Sequence, residues 1–341
     1  MDVNEGEGSS NPQPQVQDGF VSSGDELEPE QPADNAEDAV ELVVVDPNAV
    51  DVDFNHGRIA RIENLENLTQ VQNLCLRQNL IVRIEGLSTL TTLVELDLYD
   101  NQLTRIENLD SLVNLQSLDL SFNRLSKIEN LDSLVNLKKL FLIHNKITKM
   151  ENVSHLVNLE MLELGSNRIR AIENISTLTG LTSLFIGKNK ITKLQGLETL
   201  VNLRTLSMQT NRITKLEGLE TLVNVEDIYA SDNGIEKIEG LEQNTKLTTL
   251  DLANNRISKI ENLEHLSELQ EFWFNDNKVD SWKEIESLIP LKKLETVYLE
   301  RNPIYYDAGS PFKMDPSYRR KIKLTLPWIQ QIDATLAQST T

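Results

Sequence analysis

Apolar residues in this chain return to the same places every 22 positions, measured from an asparagine that recurs at Asn79, Asn101, Asn123, Asn145, Asn167, Asn189, Asn211, Asn233, Asn255 and Asn277. Eight, five and three residues before each Asn the position is apolar, as at Leu115, Leu118 and Leu120 before Asn123. Alternation at the last two predicts a short strand with one face buried. Two, five, eight and eleven residues after the Asn the position is again apolar, as at Ile147, Met150, Val153 and Leu156 after Asn145. A spacing of three predicts tight turns of 3₁₀ type on the opposite side. Each unit is therefore one turn of a solenoid. The Asn is expected to point inward, its amide satisfying backbone groups that would otherwise be buried unpaired.

The frame reads L-x-x-L-x-L-x-x-N-x-L, the leucine-rich repeat pattern, and predicts an α/β solenoid with parallel concave strands and 3₁₀ or helical convex turns. Two further columns belong to this scaffold. An acid stands six after most ladder Asn residues (Glu85, Glu107, Glu129, Glu151, Glu173, Glu217, Glu239, Glu261) and a base four after (Arg83, Arg105, Lys127, Lys149, Lys193, Lys215, Lys237, Lys259); the two columns can pair along the rim, but a solvated, mutually screened edge is expected. Gly or Asn follows each acid, a residue type that tolerates left-handed backbone. Solenoid ends expose core and need caps. A degenerate first turn carries Val52, Phe54, Ile59 and Ile62, with Gly57 in the Asn place. The final step, from Asn277 to Asn302, lengthens to 25, and Pro316 is placed to open a helix through Ile322. Leu326, Trp328, Ile329 and Ile332 are expected to cover the last turn. The predicted organisation is an acidic disordered tail over 1–50, a solenoid of about eleven to twelve turns over 51–304, a capping segment over 305–337 and a disordered end over 338–341. One turn looks thin: Val225, Ile228 and Ala230 fill its core places, and Asn244 stands where other turns carry an aliphatic.

The net charge of −20 is concentrated at the start, where residues 1–50 hold thirteen acids and no base. Low hydrophobicity with such charge predicts disorder. No run is long enough to span a membrane or serve as a secretory core, since Leu42–Val45 is ended by Asp46. A single cysteine, Cys75, excludes an intramolecular disulfide and points to a reducing compartment. The glycosylation sequons at Asn67, Asn152 and Asn174 are then expected to be accidental. The four histidines lack nucleophile or metal spacing, and no phosphate-binding glycine loop is present. Neither an enzyme nor a cofactor or metal site is expected.

Specificity must lie where the frame leaves side chains free. Four before each Asn, facing the concave side, the column reads Cys75, Asp97, Asp119, Phe141, Glu163, Phe185, Ser207, Tyr229, Asp251, Trp273 and Tyr298. Acids and large aromatics share one line, flanked by Glu271 and by few bases. Aromatics of this kind are favoured at interface hot spots. At about 4.8 Å per strand, Asp119 to Trp273 spans roughly 34 Å, the footprint of a protein.

The I-x-x-I-E-[NG]-L segment after the Asn, with the single cap beginning Asn302-Pro303-Ile304, resembles the phosphatase-associated subclass of leucine-rich repeat proteins. That resemblance implies a non-catalytic regulator, nuclear and cytoplasmic and linked to mitosis, whose concave face binds the catalytic subunit of protein phosphatase 1 and controls its activity, maturation or localisation. It places the contacts at Asp119, Phe141, Glu163, Phe185, Asp251, Glu271, Trp273 and Tyr298. A third regulatory protein would be compatible with it; nucleic acid, membrane and self-association are not expected. The basic-x-Val-x-Phe peptide used by many regulators of this phosphatase is absent: Val52-Asp53-Phe54 follows Val50 and Asp51 where a base is wanted. Binding by the folded face is expected instead. An adaptor of a cytoskeletal, axonemal or spliceosomal assembly is the alternative, although an acidic concave face disfavours direct RNA contact.

Overall fold

The computed structural model describes residues 45–337, so the expected acidic tail up to residue 44 and the last four residues lie outside the described residues. Twelve three-residue strands, from Asp51–Asp53 to Thr296–Tyr298, pair in parallel in sequence order. The register is one repeat per step: Leu118 faces Leu140, which faces Leu162. The middle residue of each strand is buried and its neighbours face the concave side, which is the alternation read from the sequence. Val45 and Ala49, expected in the tail, pack against the core beside the first strand.

The Asn ladder follows from a buried backbone that has no helix or long sheet to satisfy it. Asn167 Nδ2 donates to the carbonyls of Leu142 (2.9 Å), Leu164 (3.0 Å) and Gly165 (3.1 Å). Its Oδ1 accepts from Ile147 N–H at 2.9 Å. One amide thus pairs two successive turns, and the same set repeats along the chain. On the convex side the 3₁₀ geometry appears as successive i to i+3 bonds, such as Leu156 N–H to Val153 O and Leu159 N–H to Leu156 O, both 3.0 Å. A continuous 3₁₀ helix, Trp282–Leu288, occurs in the 25-residue step, capped by Ser281.

The Gly/Asn column has left-handed backbone, with φ of +69° at Gly86 and +59° at Asn108. A Cβ at Gly86 would strike the Ile62 carbonyl oxygen. Asn108 instead uses its amide to donate to the equivalent oxygen, that of Ile84, at 2.6 Å. A second left-handed column lies one before each ladder Asn and carries Gln78, Phe122, His144, Lys188 and Thr210 among others. Residue type does not announce it. The N–H at this place donates to the following turn, as from Phe122 to Ile143 O at 2.8 Å, and that bond turns the chain so the next Asn enters the core.

At the C-terminal end the helix Tyr318–Thr325 buries Tyr318 and Ile322, joined in the core by Leu326, Ile329 and Ile332. Trp328 is half-buried, with Lys292 Nζ 3.9 Å above its ring. The cap also extends the sheet: Gln331–Ile332 pairs in parallel with Thr296–Tyr298, and Thr335–Leu336 folds back antiparallel. Asp333, which follows Ile332 opposite Tyr298, closes the end of the array with its side chain. Its Oδ1 accepts from Leu299 N–H (2.8 Å) and Glu300 N–H (3.0 Å), donors that have no further turn to meet.

Candidate protein-binding face

The eight residues expected at the interface all lie on the concave sheet. Asp119, Phe141, Glu163 and Phe185 end four consecutive strands and stand opposite one another in register. Asp251, Trp273 and Tyr298 do the same three strands further on, with Glu271 two residues before Trp273 on its strand. Ser207 and Tyr229 fill the two strands between. Tyr229 belongs with the set: its ring centroid lies 6.2 Å from that of Trp273, which lies 5.8 Å from that of Tyr298. The aromatic residues are half-buried. Tyr229, Trp273 and Tyr298, packing edge on face, brace each other while leaving area for a partner.

The acids are held by the backbone that follows them. Asp119 Oδ1 accepts from Ser121 N–H (2.8 Å), Glu163 Oε1 from Gly165 N–H (2.7 Å) and Asp251 Oδ1 from Ala253 N–H (3.0 Å). Each carboxylate therefore has one oxygen fixed by the chain two residues on. This reduces the rotamer freedom lost when a partner docks. Burial raises the Glu163 carboxyl to about 7, against the lowering effect of the Gly165 N–H and with a smaller contribution from the Asp119 charge. Asp251, 3% exposed, is raised for the same first cause, and so is Asp97. Glu163 and Asp251, desolvated and without an ion pair among the described residues, are groups for which an incoming base has most to offer.

Two grooves follow the line. One of about 420 Å³ is lined by Glu163, Phe185, Ser207 and Gln209, with Gly165 and Gly187 keeping its floor low. The other, of about 460 Å³, is lined by Asp251, Trp273, Tyr298, Asp232, Asp276 and Glu300. A further stack escaped the sequence reading because it crosses columns. Arg77 lies 4.4 Å over Tyr99, Tyr99 is 4.9 Å from Phe122, and Phe122 is 4.7 Å from His144. Arg77 also reaches Asp97 at 3.5 Å.

Other candidate chemistry is absorbed by the scaffold. Asn152 and Asn174, both in sequons, use their amides on Ile128 O and Met150 O, each at 2.7 Å. His155 and His265 bond the carbonyls of Leu131 and Leu241 at 2.9 Å. Rim pairs such as Arg83–Glu107 (3.2 Å) and Lys193–Glu217 (3.8 Å) connect adjacent turns and, being exposed, contribute about 0–1 kcal/mol each. Val52 is buried and Phe54 half-buried at the first strand, so the string nearest to a docking peptide is committed to the core. Among the described residues no three His, Cys, Asp or Glu side chains group to hold a metal, and no helix is long and apolar enough to cross a membrane.

Comparison with known proteins agrees with the geometry. Family models for leucine-rich repeats match residues 91–133, 135–178 and 179–221, described as two repeat copies each, and a further leucine-rich repeat model matches 220–335. Among curated relatives, protein phosphatase 1 regulatory subunit 7 of Danio rerio is 56% identical over 52 residues, or 15% of this chain and 13% of that protein. The human protein of that name is 56% identical over 55 residues, 16% of this chain and 13% of its own length. Protein phosphatase 1 regulatory subunit SDS22 of Schizosaccharomyces pombe is 48% identical over 60 residues, 17% of this chain and 16% of that protein. These matches thus span well under two thirds of the relatives. Among solved structures, an internalin of Listeria monocytogenes superposes with a TM-score of 0.67 at 25% identity, covering 84% of this chain and 87% of that one. A leucine-rich repeat protein of Leptospira interrogans gives 0.65 at 23% identity, covering 80% and 81%. With its 22-residue turns, its internal Asn ladder and repeat models running from residue 91 to 335, the chain belongs to the leucine-rich repeat family.

Proposed function

We propose that this protein is a non-catalytic regulatory subunit that binds the catalytic subunit of protein phosphatase 1 through its concave face. The observation that carries the reading is the line from Asp119 to Tyr298, where desolvated acids and half-buried aromatics stand in strand register without facing bases. The names of the partial relatives supply the partner. Acids meet a basic patch on the phosphatase, and Phe141, Phe185, Trp273 and Tyr298 fill shallow pockets at the centre of the contact. Control of phosphatase activity, maturation or localisation in nucleus and cytoplasm, including in mitosis, is the role that such binding serves.

Capture of purified phosphatase 1 catalytic subunit by the full chain tests this. Trp273→Ala, at a hot-spot loss of about 2 kcal/mol, should weaken capture roughly 30-fold. Glu163→Gln keeps an oxygen for the Gly165 N–H and removes only the charge, so it should weaken capture less. Both variants must retain the wild-type melting profile. Undiminished capture by both would overturn the assignment, and recovery from cells of dynein, tubulin or splicing proteins in place of the phosphatase would favour the adaptor reading.

A further inference from the structure

We propose that the flank descending from the ladder between Asn123 and Asn211 is a docking surface for an extended acidic segment of a partner protein. This surface is separate from the concave line and does not rest on the phosphatase reading. The seven-residue windows 121–127, 143–149, 165–171, 187–193 and 209–215 contain eleven Lys or Arg and no Asp or Glu. The corresponding windows on either side break the pattern, with Asp100 before it and Asp232 and Glu236 after it. A chain of net charge −20 thus concentrates one uninterrupted basic strip over five consecutive turns.

The fold holds this strip in order. The residue after each ladder Asn donates its backbone N–H to the preceding turn: Arg124 to Leu103 O, Arg168 to Ile147 O, Lys190 to Ile169 O and Arg212 to Ile191 O at 2.8 Å, and Lys146 to Leu125 O at 2.7 Å. Their Cα atoms are therefore stacked one repeat apart. Four of these five side chains are exposed, and Lys190 is half-buried. None of the five makes an ion pair or side-chain hydrogen bond among the described residues. The contrast with the next basic column is informative. Arg83, Arg105, Lys193 and Lys215, four after the Asn, each reach an acid of the following turn. The scaffold supplies counter-charge to these four and to none of the five. Two residues further along, Ser126, Thr148, Thr192 and Thr214 are exposed and add hydroxyl donors beside the cations.

Five turns are four strand steps, about 19 Å, which an extended chain covers in roughly six residues. A run of Glu and Asp of that length, or one bearing phosphates, neutralises the strip. A nucleic acid fits less well. Single strands need rings on which bases stack, and the rings here, Phe122 and His144, already stack on each other. The net negative charge also repels a long polyanion.

The probe is a fluorescein-labelled octaglutamate titrated into the full chain and followed by anisotropy at about 50 and 150 mM salt. Saturable binding that weakens with salt is expected. The charge-reversal variant Lys146→Glu/Arg168→Glu/Lys190→Glu should lose it at least tenfold, and the neutral variant Lys146→Ser/Arg168→Ser/Lys190→Ser should show an intermediate loss if reversal perturbs folding. Arg83→Ser and Trp273→Ala should bind the probe as wild type does, which separates this surface from the rim and from the concave line. Absence of binding at 50 mM salt, or unchanged binding by both triple variants, would overturn the proposal. Tighter binding of an eight-nucleotide oligouridylate than of octaglutamate would overturn it in favour of a nucleic acid.

Discussion

Replacing Asn244 with Leu should stabilise this protein, although it removes two hydrogen bonds. Asn244 is fully buried where neighbouring turns carry Leu222 and Leu266. Its Nδ2 donates to Leu219 O and Leu222 O at 3.0 Å each, while its Oδ1 has no partner. The two carbonyls do not depend on it: Leu219 O also accepts from Leu222 N–H at 3.0 Å, and Leu222 O from Val225 N–H at 3.2 Å. Losing both side-chain bonds costs about 1–3 kcal/mol in all, and removing the orphan oxygen returns about the same amount. Burying a Leu side chain contributes about 1.5–3 kcal/mol more. The net expectation is a gain of about 1–3 kcal/mol. Because solenoids open by neighbouring turns rather than all at once, the sharper assay is amide exchange. The turn built on Val225, Ile228 and Ala230 has, in Val225 and Ala230, smaller side chains than its neighbours at two core places, so amides of residues 225–245 should exchange faster than those of residues 137–157. Asn244→Leu should slow them by about one to two orders of magnitude. Uniform protection in the wild type, or faster exchange in the variant, would refute the reasoning by showing that the two Nδ2 bonds outweigh the stranded oxygen.

The ladder makes a second prediction. Asn167 meets one N–H and three carbonyls, so the carboxylate of Asn167→Asp would place negative charge against three acceptors. It should cost several kcal/mol at pH 8 and recover part of that on acidification, as the protonated acid regains a donor; a denaturant midpoint independent of pH would contradict this. A third concerns Glu163, whose carboxyl is raised by burial to about 7. The folded chain holds this proton more tightly than the unfolded chain does, so stability should fall as pH rises from about 4.5 to 7. Phosphatase binding should show the opposite sign, strengthening from pH 6 to 8, because a basic partner favours the ionised acid. Glu163→Gln should flatten both profiles, read by melting temperature and by capture, and unchanged slopes would remove Glu163 from the interface electrostatics.

Features that every turn requires were legible in the chain. The Leu columns, the inward Asn and the Gly/Asn column recur because each turn has the same core to fill, the same backbone to satisfy and the same left-handed corner to make. The concave line was legible by subtraction, as what remained once those columns were set aside. Features set by contacts between columns were hidden. The left-handed place held by Phe122 and Lys188 depends on a bond to the next turn rather than on residue type. The folding back of Asp119 and Glu163 onto N–H groups two residues on depends on the bend that ends each strand. The clearest case is Asp333. In earlier turns the N–H three before the ladder Asn donates to a carbonyl of the next strand, as Leu120 does to Phe141 O at 2.9 Å. The last turn has no successor, and the free N–H groups of Leu299 and Glu300, with the Tyr318 hydroxyl at 3.3 Å, offer donors alone. A carboxylate accepts from all three, and only knowing that the full repeats end at Thr296–Tyr298 reveals why one is wanted there.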